Sequence, residues 1–135
     1  MTLKFTKTSR TAELEGVWLD FDDGTEEDNV LELLIARSTG NPHYEATLTK
    51  LMAPYKKKME QGKDISNKVA KDILKKVIAK EILLGWNEEK LTDSEGKPVK
   101  YSFENAMLLL HGDNDLFDFV TEESAKKSNF LTKKK

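Results

Sequence analysis

The sequence predicts an α+β fold: mainly α, with an N-terminal antiparallel β hairpin or meander and about four helices around one core. Three observations carry this. Apolar residues alternate with a period of two in the first third of the chain. They recur at steps of three and four from Tyr44 onward. Turn and cap residues fall where one pattern gives way to the other.

The β part opens with Thr2 to Thr6, where Leu3 and Phe5 share a face. In "GVWLDF", Val17, Leu19 and Phe21 then take one side, as a half-buried strand requires. "VLELLIARS", Val30 to Ser38, is short and Leu-rich, so its periodicity alone fits strand or helix. A strand is favoured, pairing back onto residues 16–21 through "DDGTEEDN".

Gly40 ends that strand, and a helix begins at Asn41-Pro42. Asn41 can cap the first amides, and Pro42 suits the first turn because its missing N–H would be unpaired there. Tyr44, Leu48, Leu51, Met52, Tyr55 and Met59 form one apolar stripe, with a kink or restart expected at Pro54. Gln61-Gly62 ends this element and Asp64 is placed to cap the next. Ile65, Val69, Ile73, Val77 and Ile78 oppose Lys68, Lys71, Lys75, Lys76 and Lys80, marking a central core helix expected to end near Gly85.

"NEEKLTDSEGKPVK" reads as a loop with a tight turn at Asp93 to Gly96. Ser102 caps a short helix whose Phe103, Met107 and Leu110 are expected to pack against Ile73, Val77 and Leu84. Gly112 stops it, Asp113 or Asn114 restarts it, and Leu116, Phe117, Phe119 and Val120 close the apolar pattern. The organisation expected is a single domain over residues 1–125, with a β-rich part at 1–38 and a helical part at 41–125. A flexible basic tail is expected at 126–135.

The 135 residues suit one core. Lys and Arg number 22 against 24 Asp and Glu, a formal net charge of −2 that lacks the basic excess of a nucleic-acid binder. There is no cysteine, hence no disulfide and no thiolate metal site, which is compatible with a reducing compartment. The N-terminal residues hold no apolar run like a signal peptide, and no window is apolar enough for a membrane span, so a cytoplasmic location is expected.

No chemistry-bearing motif stands out. Asp20, Asp22, Asp23, Glu26, Glu27 and Asp28 are acidic, but counting back from Gly24 puts Leu19 in the first ligand position of a calcium loop. A solvated hairpin tip is the better reading. His43 and His111 are too few for a zinc site built without cysteine. "GKPVK" lacks the upstream glycine and the hydroxyl residue of a phosphate-binding loop, and no nucleophile elbow surrounds any serine. The runs Lys56-Lys57-Lys58, Lys126-Lys127 and Lys133-Lys134-Lys135 read as solvated faces, and Trp18 and Trp86 as core or core-edge residues. A protein that packs and binds is expected, with no enzymatic activity and no cofactor.

Four phrases taken together, "GVWLDF", "LLIARSTGNPHYEATLTKLMAPYKKKMEQG", "ILLGWNEEKLTDSEGKPVKYSFENAMLLL" and "LFDFVTEESAKKSNF", resemble the tail assembly chaperones of long-tailed, siphovirus-type bacteriophages and prophages. The resemblance spans most of the chain in the right order. It departs at Phe103, where such proteins often carry proline at the first helical position. It implies a factor absent from the mature virion that binds the tape-measure protein and promotes tail-tube polymerisation in the host cytoplasm. Its expected partners are the tape-measure protein, the tail-tube protein and a frameshifted longer form of itself, with homo-oligomers possible and no nucleic acid or membrane. Partner binding is expected at Phe117, Phe119, Val120, Phe130 and Leu131, the last two foremost, because this late segment holds more apolar residues than a short helix can bury. A structural tail or head-to-tail completion protein is the alternative.

Overall fold

The computed structural model describes residues 6–25 and 30–132. The expected strand at Thr2 to Thr6 therefore lies almost wholly outside the described residues, as do Glu26, Glu27 and Asp28 of the hairpin tip and Lys133 to Lys135.

The first described element is a short helix, α1 (Arg10–Glu15), which the periodicity did not signal. Ser9 caps it by accepting a hydrogen bond from the Ala12 amide. Gly16 turns the chain at a φ of 92°, a conformation that side-chain-bearing residues avoid, into β1 (Val17–Asp22). β1 pairs antiparallel with β2 (Val30–Ile35), in register from Val17 opposite Ile35 to Asp22 opposite Val30. The hairpin is thus as expected, with Val17, Leu19 and Phe21 turned inward.

The expected start of α2 (Pro42–Met52) also holds: the Asn41 side chain accepts from the amides of His43 and Tyr44. At Pro54 the α-helix tightens into a 3-10 turn, Ala53–Tyr55, and resumes as α3 (Lys56–Glu60). The cap of α4 (Asn67–Val77) is Ser66, bonded to the Val69 amide, rather than Asp64.

The main correction concerns residues 78–86. The central helix does not run on to Gly85. It widens into a π turn, Ile78–Ile82, and the next four residues form a third strand, β3 (Leu83–Trp86), beside β2. The sheet order is β1-β2-β3, antiparallel throughout, with a register shift at Leu34/Ile35. The carbonyls released where the helix ends need donors. Ala36 N–H donates to the Ile82 oxygen at 2.9 Å, and the Tyr101 hydroxyl donates to the Leu83 oxygen at 2.6 Å. Burial, with a contribution from the Glu81 charge, pushes the Tyr101 phenol above its ordinary range, so it remains a donor.

After the loop, Ser102 caps α5 (Phe103–Gly112) and Asp113 caps α6 (Asn114–Ala125), both as expected. The core lies between the inner face of the sheet, the π turn, α5 and α6. Leu33, Ile35, Ile78, Ile82, Leu83, Trp86, Leu110, Leu116 and Val120 are buried in it. An α+β fold around one core is therefore observed, with one strand of the sheet supplied from the middle of the chain.

The chain after α6 is also corrected. Lys127–Phe130 forms a 3-10 turn, Phe130 is 0% exposed, and the turn packs against α1. Ser9 N–H donates to the Phe130 oxygen and Thr132 N–H to the Lys7 oxygen, so Thr8 and Leu131 form a β bridge. The described part of the expected tail is built into the fold.

Candidate partner-binding surface

The late apolar segment does not offer the surface expected of it. Phe117 and Val120 are buried in the main core, Phe119 meets Phe21 edge to face at 5.2 Å between ring centres, and Phe130 is enclosed beneath α1. Of the five residues, Leu131 is the exposed one, at 38%, and it is held by its bridge to Thr8. An amphipathic final helix and its following turn have enough core to fill, because α1 and the third strand enlarge it.

A polar cluster fixes that region. Glu13 accepts from Arg37 Nη1 at 2.6 Å, and Arg37 N–H donates to the Glu13 carbonyl at 2.8 Å. Asn41 Nδ2 donates to the Arg37 carbonyl, while Ser124 Oγ meets Ser38 Oγ and Ser38 N–H donates to the Ser124 carbonyl. Arg37 Nε is enclosed without a partner among the described residues, which leaves Glu13 as the chief counter-charge of that guanidinium. The Arg37 to Asn41 segment thereby ties α1, β2, α2 and the end of α6 together.

Exposed apolar surface gathers elsewhere, around the loop of residues 87–100. Trp86 anchors the loop from below: it is 4% exposed, its Nε1 donates to the Val99 oxygen at 2.9 Å, and its ring meets Tyr101 edge to face at 5.0 Å. Asp93 Oδ1 accepts from the amides of Glu95 and Lys97, and Gly96 closes the tight turn at a φ of 78°. Three hollows border this loop. One of about 310 Å³ lies towards Phe21, Leu31 and Leu116 and includes Lys90 and Leu91. A second, about 470 Å³, is lined by Pro98, Val99 and Leu108, and Leu108 is 71% exposed on α5. The third, about 490 Å³, is lined by Trp18, Trp86, Glu32, Asn87, Glu88 and Glu89.

Trp18 is 57% exposed on the sheet face turned away from the helices. The sequence reading takes both tryptophans as core or core-edge residues; the alternation of "GVWLDF" puts Trp18 opposite Val17 and Leu19, and that signal separates the two. Phe103, expected to pack inward, is also largely at the surface, beside Ala79, Lys80 and Tyr101. Among the described residues no cluster of three or more His, Asp or Glu could hold a metal ion, and no helix is long and apolar enough to cross a membrane. At the tip of the hairpin, hydrogen bonds from Thr25 hold the Asp23 carboxyl below its ordinary range.

No curated protein and no solved structure matches the chain. A family model described as the YdaY prophage protein matches residues 39–135. That span takes in every helix from α2 onward, the third strand, the 87–100 loop and the Phe130 turn. The chain is therefore a phage or prophage protein, and it belongs to the YdaY prophage protein family.

Proposed function

We propose that this protein is a tail assembly chaperone: it binds the tape-measure protein, promotes polymerisation of the tail tube around it, and is absent from the mature virion. Its place of action is the host cytoplasm, and it acts by binding rather than by catalysis. The observation that carries the reading is the exposed apolar surface around the 87–100 loop, with Trp18 and Leu108 among the most exposed large apolar side chains. Exposed apolar groups set on a well-anchored scaffold are what reversible capture of an amphipathic client helix requires. Membership of a prophage family supports the phage setting, and the ordered run of phrases from "GVWLDF" to "LFDFVTEESAKKSNF" supports the specific role.

Co-expression with the tape-measure protein of the same genome tests this. A soluble complex that co-purifies is the expected result. An insoluble tape-measure protein, with this chain left unbound and recovered from purified virions, would replace the reading with that of a structural tail or head-to-tail completion protein.

A further inference from the structure

We propose that the outward face of the sheet is the client dock, and that its occupant is a helical segment of a partner protein carrying lysine or arginine beside apolar residues. This rests on the chaperone reading and assigns it a surface.

The face has a flat apolar floor. Trp18 lies directly opposite Leu34, and Leu34 lies opposite Gly85. Leu34 is bracketed by two glycines: a Cβ on Gly16 would come within 3.1 Å of its Cγ and Cδ1, and one on Gly85 within 3.7 Å of its Cβ. No side chain at either position lifts Leu34 from the sheet. Three strands spaced by about 4.8 Å give a platform roughly 10 Å across, the width of one helix with its side chains.

The rim is acidic. Of the other outward positions on β1 and β2, Asp20, Asp22 and Glu32 are acidic and Val30 is apolar, and Glu88 and Glu89 border the hollow beside Trp18. Among the described residues, Lys90 is the cation paired to these, its ammonium 3.3 Å from Glu32. Residues 11–32 contain nine Asp or Glu and no Lys or Arg. An occupant needs apolar groups for Leu34 and the tryptophan ring, and cations that can reach both the ring face and the carboxylates.

A second copy of this chain fits less well. The lysine-bearing helix α4 has already buried Ile73 and Val77 in its own core, and the apolar stripe of α2 packs against α4 and the π turn, so neither brings cations beside a free apolar stripe. A foreign amphipathic helix brings both.

The test uses the intact protein and two synthetic helical peptides, one of leucine and lysine and one of leucine and glutamate, with binding followed by fluorescence anisotropy of the labelled peptide. The leucine–lysine peptide should bind wild type, bind Trp18→Ala about tenfold more weakly, as for a tryptophan at an interface hot spot, and weaken as salt is raised. The leucine–glutamate peptide should not bind. Circular dichroism and melting of Trp18→Ala should match wild type, because the side chain is largely in solvent. Unchanged peptide binding by Trp18→Ala, with the tape-measure protein still held soluble, would move the dock elsewhere and leave the chaperone reading standing. Trp18-dependent peptide binding by a protein that fails to hold the tape-measure protein would keep the dock's chemistry and remove the client. Concentration-dependent self-association in sedimentation, abolished by Trp18→Ala, would overturn the proposal in favour of a second copy.

Discussion

Two regions of this molecule use the same materials, aromatic rings beside charged side chains, to opposite ends. Where α1, the Arg37 to Asn41 segment, the end of α6 and the Lys127–Phe130 turn meet, Phe130 is wholly enclosed and the Glu13–Arg37 pair is largely withdrawn from water. Around the 87–100 loop, Trp18 and Leu108 stand in solvent, and acidic groups line the hollow beside Trp18. The first region closes the fold. The second keeps large apolar side chains that the fold leaves in solvent. Aromatic content alone does not separate them; the partner strand or helix on the far side does.

Substitutions can break this contrast, and the largest effect belongs to the enclosed region. Phe130→Ala should lower stability by about 3–5 kcal/mol in urea melts, the cost of truncating a buried phenylalanine; a loss below about 1 kcal/mol would mean that the turn is dispensable to the fold. Next comes Glu13→Ala, which strands the Arg37 guanidinium and should cost about 3 kcal/mol in the same assay. Ser102→Ala removes the acceptor for the Asn105 amide at the start of α5 and should cost about 1 kcal/mol, read as a small downward shift in melting temperature. Smallest in stability is Trp18→Ala combined with Leu108→Ser, within about 0.5 kcal/mol of wild type for each exposed position. The same double variant should lose most of its co-purifying tape-measure protein, so stability and binding separate by region.

Much of the architecture was legible because it is set locally. Asn41, Ser102 and Asp113 cap helices through their own side chains and neighbouring amides, and Pro54 perturbs its helix through its own ring. The hairpin follows from alternation on β1 and the turn-rich link that leads back to β2. What escaped was set from a distance. "LLGW" reads as a last helical turn with a glycine stop, and it becomes a strand because β2 offers it an edge and the Tyr101 hydroxyl takes up the carbonyl of Leu83, its first residue. Phe130, amid lysines and polar residues, reads as exposed; its burial depends on α1, near the other end of the sequence. The candidate surface suffered the same error in reverse. Trp18 reads as a core or core-edge residue by its apolar bulk, yet its strand position turns it outward.

The sheet order carries a kinetic consequence. Leu33 in β2 pairs with Trp86 in β3 about fifty residues later, so the hairpin gains its second neighbour only after α2, α3, α4 and the π turn have brought β3 back to it. Loop closure over that span has to be met before the contact repays it, which makes docking of β3 the natural slow step and slows folding relative to an all-helical chain of this length. Until then β2 presents an open, Leu-rich edge of the kind that pairs with other chains. A copy whose β3 has not yet docked is therefore open to strand pairing with its neighbours.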